Sequence, residues 1–144
     1  MSNGINVIKR NGDKDSLNLA KVHKMVEHAC EGLAGVSASQ VEIQSGIQFY
    51  DGITTTEIQE ILVKSASDLI DLDHPNYQYV AARLLLYGVR KKLFGRLREL
   101  PHLEQHIYAC TNIDVYDKDI FTKYSKEEIE KANSFIDHER DIIF

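Results

Sequence analysis

The spacing of apolar and polar positions changes several times along the chain, and each change marks an element. Residues 5–9, Ile-Asn-Val-Ile-Lys, are rich in β-branched side chains and predict a short strand. Arg10-Asn11-Gly12-Asp13 follows. Asn-Gly favours a type I′ hairpin turn, in which both central residues need φ > 0. A return strand over 14–17 ends at Leu17. Asn18 is placed to cap the next element, its side-chain oxygen accepting an N–H of the first turn. From there Leu19, Val22, Val26, Ala29 and Leu33 recur at helical steps and define one face, which Gly32 and Gly35 end. Ser37-Ala38-Ser39-Gln40 is a capping-box pattern, and the helix it opens places Gln40, Ile43, Ile47 and Tyr50 on one face. Asp51-Gly52-Ile53 predicts a turn running into one more short strand. Thr54-Thr55-Thr56-Glu57 is a second capping box, ahead of Ile58, Ile61, Leu62, Ser65 and Leu69 at helical spacing. The fourth and longest helix runs from about Pro75 to Phe94, with proline in its first turn, and stops at Gly95. Short helices are expected beyond it, over His102 to Cys110, near Asp117 to Lys123, and from the capping box Ser125-Lys126-Glu127-Glu128.

Composition narrows the class. The chain has 144 residues, 43% hydrophobic, with 8 Gly and 2 Pro, which is enough for a real core and excludes collagen-like, low-complexity and disordered classes. The longest apolar run, Val80 to Val89, is interrupted by Arg83 and is too short to span a membrane. Met1-Ser2-Asn3-Gly4 does not open a signal peptide, and the two cysteines, Cys30 and Cys110, form neither a disulfide framework nor a zinc site. A cytoplasmic location is the expectation. The net charge of −5 is unevenly spread: residues 1–96 hold 11 basic and 11 acidic side chains, residues 97–144 hold 6 and 11. Two regions are expected, 1–95 and an acidic helical segment 96–144, and a neutral or acidic chain does not suit nucleic acid.

The candidate chemistry is phosphate binding rather than catalysis. The sequence has no HExxH, GxSxG or GxxxxGK[ST] motif. Cys30, beside Ala29, reads as a structural thiol; His102 and His106, four apart, are a metal pair without a third ligand. His138-Glu139-Arg140-Asp141 reads as a solvated face. Lys9 and Arg10 end a strand just before a glycine turn, Lys21 lies in the first turn of a helix, and Lys91 lies near the end of the longest helix. Thr55 stands at a helix start, where exposed N–H groups favour anions. Each cation alone would serve as an ordinary surface charge; together they suit a polyphosphate. Spacing alone therefore stops at an α+β domain, with nucleotide binding as a candidate function.

The ordered motifs carry more. Val7-Ile8-Lys9-Arg10-Asn11-Gly12 with Asn18-Leu19-Ala20-Lys21-Val22 resembles the opening of the ATP-cone family. Asp51-Gly52-Ile53-Thr54-Thr55 and Asn76-Tyr77-Gln78-Tyr79-Val80-Ala81-Ala82-Arg83 resemble its later signatures. The tail segments Tyr124-Ser125-Lys126-Glu127-Glu128 and Ile136-Asp137-His138-Glu139-Arg140-Asp141 are similar to the stretch that leads into the catalytic barrel of class I ribonucleotide reductase large subunits of aerobic bacterial or phage type. The resemblance implies an α+β, mostly helical cone: a four-helix bundle capped by a small three-stranded sheet. It implies ATP or dATP as allosteric effector, with Mg²⁺ held through the phosphates. It also implies two partners, the remainder of the large subunit and the radical-generating small subunit in nucleotide-dependent oligomers, with neither nucleic acid nor membrane. The parent enzyme reduces ribonucleoside diphosphates, and its radical and redox cysteines are expected beyond Phe144, so no catalytic residue is expected in this chain.

Carried over by position, the resemblance assigns Lys9, Arg10 and Lys91 to the phosphates and Val7, Leu17 and Val22 to the base and sugar. Asn18 and Lys21 become polar contacts, and Asp15 stands where relatives often have Glu to accept from the adenine amino group. Thr55 and Ile58 line the third-helix side, with Phe49 nearby. Gln59 replaces a histidine, and Tyr87-Gly88 an aromatic followed by histidine. Two other readings use the same residues. One is the cone of a nucleotide-sensing repressor, which would require a four-cysteine zinc ribbon ahead of it. The other is a cone whose pocket has decayed into an interaction module.

Overall fold

The central strand β1 (Asn6–Ile8) is paired along both edges, antiparallel to β2 (Lys14–Ser16) and parallel to β3 (Ile53–Thr54), giving the sheet order β2-β1-β3. The computed structural model describes residues 4–143; Met1, Ser2 and Asn3 of the chain's opening and Phe144 of its terminal apolar run lie outside the described residues. Val7 is the buried residue of β1 and stands between Asp15 and Ile53. The hairpin differs from a type I′ turn, because Gly12 (φ +87°) alone takes the left-handed region and Asn11 does not. Instead the Gly12 N–H donates to Lys9 O (2.9 Å), Lys9 N–H donates to Asp13 O (2.8 Å), and Asn11 and Asp13 bond through their side chains. That is a three-residue loop with glycine at the left-handed position. The third strand is anchored by Asp51, whose carboxylate accepts both the backbone and the side-chain N–H of Asn6 (2.8 and 2.9 Å).

Helices start directly from this sheet. Asn18 caps α1 (Leu19–Cys30), its side chain accepting from Lys21 N–H at 3.1 Å. Thr54, the last residue of β3, caps α3 (Thr55–Asp68) in a complete capping box with Glu57. Of α1, Val26 and Ala29 are buried, while Leu19 is exposed. In α3, Ile58, Leu62, Ser65 and Ala66 are buried.

Between them, α2 (Ala38–Gly46) turns a different side inward from the one its isoleucines mark. Ile43, Ile47 and Tyr50 are exposed, and Val41 and Ser45 are buried. Ser45 on α2 and Ser65 and Ala66 on α3 are all fully buried, and α2 packs against α3. The Ser37 capping box is half made. Ser37 Oγ accepts from Gln40 N–H, but Ser37 N–H donates to the hydroxyl of buried Tyr77 (3.0 Å) in place of Gln40.

Helix α4 (Tyr77–Phe94) buries Tyr77, Val80, Ala81, Leu84 and Tyr87, a stripe at helical spacing. Its first turns also hold the chain between α1 and α2. Asn76, just before it, donates to Ala34 O, and Arg83 donates to Ala29 O and Glu31 O at the open end of α1. The Asn76-to-Arg83 signature thus works as a strut.

The chain divides into two compact units, Met1–Val89 and Arg90–Phe144. The first holds the sheet with α1 to α3 and most of α4. The second is helical: α5 (Leu103–Asn112), α6 (Ile120–Lys123), α7 (Lys126–Ser134) and a further short helix, α8 (Arg140–Ile143), in the segment expected to be a solvated face. Its core includes Ile107, Thr111 and Ile129. Arg90 is buried, with its guanidinium donating to His138 O (2.7 Å) and Leu97 O and facing Asp141 (3.3 Å). The helix at 126 has the complete Ser125–Glu128 capping box. Among the described residues, no helix is long and apolar enough to cross a membrane. The fold is therefore mostly helical with a small three-stranded sheet.

One electrostatic link joins α1 to α2. His23 places Nδ1 2.7 Å from Glu42 Oε1 and Nε2 3.1 Å from Glu27 Oε1. The hydrogen bond to Glu42 raises the imidazole above its ordinary pKa of 6.5 against the opposing effect of burial, with lesser help from the charges of Glu42 and Glu27. A raised folded-state pKa adds stability that is fully present below the unfolded value and is lost as pH rises through the folded one. Melting temperature measured from pH 6 upward is thus expected to fall more steeply in the wild-type chain than in His23→Gln. Parallel curves would show that the link contributes nothing.

Candidate functional site

The two-residue period of a strand decides which hairpin residues meet. Val7 lies opposite Asp15, and Lys9 is two residues beyond Val7, so all three point to one face. Lys9 Nζ is 2.7 Å from Asp15 Oδ2, with both side chains about half exposed. Asp15 is held below the usual carboxylate range by the hydrogen bond from Lys9, by the Ser16 N–H on Oδ1 and by the charge of Lys9, with a lesser contribution from Lys21. Lys9 is correspondingly raised, chiefly by its bond to Asp15. The first turn of α1 therefore brings Lys21 within electrostatic reach of the hairpin. Arg10 is exposed on the loop beside Lys9.

The remaining candidates are carried by other parts of the chain. Leu17 is half-buried, with its N–H on Ile5 O (2.8 Å) leading the chain from β2 into the Asn18 cap. Val22 is half-buried on α1; Phe49 is half-buried in the link to β3. Thr55 begins α3 and is half-buried, one turn before buried Ile58. Tyr87 is buried on α4. Lys91 is an exposed residue of the last turns of α4 and belongs to the second unit.

Gln59 and Gly88, which stand apart in the sequence, touch in the fold. The Gln59 amide donates to the carbonyl of Leu84. A Cβ built on Gly88 would lie 2.9 Å from Cγ of Gln59, closer than carbon atoms pack. The glycine makes room for the glutamine, and the glutamine binds α3 to α4 in return. No local spacing signal reveals a pairing of this kind.

Other polar residues considered from sequence are engaged in structure. His102 Nδ1 accepts from Glu104 N–H as the cap of α5, and Nε2 lies 2.9 Å from Glu130. The His106 ring meets Phe94 and Tyr116 edge-on. Burial raises the Cys30 thiol, keeping it protonated.

Comparison with known proteins now places the molecule. The family model described as "ATP cone domain" matches residues 5–92. The chain belongs to the ATP-cone family. Its cone contains the hairpin, both sheet-borne helix caps and the Gln59–Gly88 contact. The ribonucleoside-diphosphate reductase 1 subunit alpha of Escherichia coli (strain K12) is 44% identical over 144 residues, which cover 100% of this chain and 19% of the relative. The corresponding subunit of Salmonella typhimurium is 45% identical with the same coverage. That of Enterobacteria phage T4 is 40% identical over 142 residues, 97% of this chain and 18% of the relative. The chain thus spans about a fifth of the length of these relatives.

The Gln59–Gly88 contact is testable through a sign reversal. Alanine in place of a mid-helix glycine gains about 1 kcal/mol of helix propensity, whereas overpacking costs roughly 1–3 kcal/mol. Gly88→Ala is expected to lower stability in the wild-type chain and to raise it in a Gln59→Ala background. Denaturant unfolding of the four variants of this cycle measures the coupling. Equal effects in both backgrounds would mean that the two positions do not interact.

Proposed function

We propose that the cone binds ATP or dATP as the activity-regulating nucleotide of a ribonucleoside-diphosphate reductase large subunit. The observation that carries this reading is the match of residues 5–92 to the cone, within which Lys9 pairs with Asp15, Lys21 acts on the same carboxylate from the first turn of α1, and Arg10 stands beside Lys9, three cations against Asp13 and Asp15. Such a group has a surplus of positive charge and suits a polyphosphate. In this reading the cone is a four-helix bundle capped by the small sheet. Lys9, Arg10 and Lys21 hold the phosphates; Val7, Leu17, Val22, Phe49 and Ile58 face the base and sugar. Asn18 and Thr55, at two helix starts, supply polar contacts. In this reading Mg²⁺ is held through the phosphate oxygens and water.

The reaction proposed for the parent enzyme is reduction of ribonucleoside diphosphates, with this segment acting as regulator and contributing no catalytic residue. Its partners are the remainder of the large subunit and the radical-generating small subunit, joined in nucleotide-dependent oligomers in the cytoplasm.

Titration calorimetry with ATP and with dATP in the presence of Mg²⁺ tests the reading. Both are expected to bind. Lys9→Ala, which removes a charge-assisted bond, is expected to weaken binding roughly tenfold to a hundredfold. Nucleotide at ~100 times its dissociation constant should add about 2.7 kcal/mol to unfolding stability. A folded chain that ignores millimolar nucleotide would overturn the assignment.

A further inference from the structure

The residues assigned to a polyphosphate are already arranged around an anion of their own. Asp15 Oδ2 takes the Lys9 ammonium at 2.7 Å, while Oδ1 accepts the Ser16 N–H at 2.9 Å, which fixes the carboxylate's orientation. Lys21 acts on the same carboxylate from the first turn of α1. Asp13, across the strand pair from Lys9, adds a weaker attraction. While Lys9 keeps its short bond to Asp15, one of its three N–H donors and much of its charge are already spent on that carboxylate. A phosphate bound there would bring a second anion next to the carboxylate, and like charges at such range repel.

We infer that Asp15 is a built-in counterion that holds the phosphate-binding lysines in place and is displaced when a polyphosphate takes over Lys9. This rests on the nucleotide-site reading above and adds a role for Asp15 distinct from recognition of the base. As a counterion, Asp15 competes with any polyphosphate, whether or not it carries a base. As a base reader, it would strengthen ATP and leave the bare polyphosphate unaffected. The exchange is feasible because the pair is solvent-exposed. Ion pairs of this kind are weak and open without exposing an apolar surface.

Inorganic tripolyphosphate, which has neither base nor sugar, separates these roles. In calorimetric titrations of the chain, Asp15→Asn is expected to bind tripolyphosphate about two- to fivefold more tightly than wild type, the range of an exposed ion pair. The gain should shrink in the Lys9→Gln background, where the carboxylate has lost its main partner. In wild type, NMR titration of the Asp15 carboxyl should show its midpoint rising toward the ordinary aspartate range on saturation with tripolyphosphate, because Lys9 has left it. Unchanged or weaker tripolyphosphate binding by Asp15→Asn, or a midpoint that does not rise, overturns the counterion role while ATP binding by wild type leaves the nucleotide site standing. Binding of neither ATP nor tripolyphosphate by wild type overturns both.

Discussion

The pairing of β1 along both edges is the constraint from which the site follows. A strand of three residues makes few ladder bonds, and so short a sheet would not persist alone. Here it is held from outside. Asp51 binds the Asn6 backbone and side chain, Gly52 N–H reaches Asn6 O, and Ile53 and Val7 lie side by side in the core. Two consequences follow for the rest of the unit. The hairpin can only leave β1 at Lys9, and α1 and α3 begin within a few residues of the sheet, each with a side-chain cap. The candidate residues of the hairpin and of both helix starts thus have their positions set by one strand.

The other organising element is α4. Its apolar stripe fills the core, but its polar side chains do a different job. Tyr77 takes a backbone N–H at the start of α2, and Arg83 takes the carbonyls at the end of α1. Leu84 offers its own carbonyl to Gln59 of α3. Buried or half-buried backbone groups at helix ends are costly if unpaired. One helix thus serves the ends of two others and gives a carbonyl to a side chain of the third, so Tyr77 and Arg83 are explained by these bonds before any ligand is considered.

Much of this was legible in the sequence, for definable reasons. The caps at Asn18, Thr54 and Ser125 rest on side-chain chemistry that acts within four residues, and all three are made in the structure. The hairpin's existence was legible but not its turn type, because Asn-Gly serves a three-residue loop as well as a two-residue one. The inward side of α2 was not legible. It is marked by Val41 and Ser45, and a single valine with a serine leaves little mark in apolar periodicity. The Gln59–Gly88 fit and the Asn6–Asp51 clamp depend on residues far apart in the chain, and no pattern in one sequence encodes them. Of the candidate site, Lys9 and Asp15 are each legible in the sequence, but their pairing depends on the strand register.

The candidate residues differ in how readily they can be redirected, and this difference has a physical origin. Lys9 and Asp15 are half in water, so the bond between them is exchanged for hydration or for another ion at little cost. The Gln59 amide is half-buried against α4, its acceptor is a backbone carbonyl, and the space around it is closed by Gly88. Turning it toward a ligand would leave the Leu84 carbonyl without that partner and open a gap between two helices, losses that a single new hydrogen bond does not offset. In the proposed nucleotide site, adaptation would therefore be concentrated in the hairpin, whose charges can rearrange, while Gln59 and Gly88 keep a fixed shape. Substitutions in the hairpin accordingly act through charge, and substitutions at positions 59 and 88 act through packing. The two kinds of change are separable because they draw on different interactions.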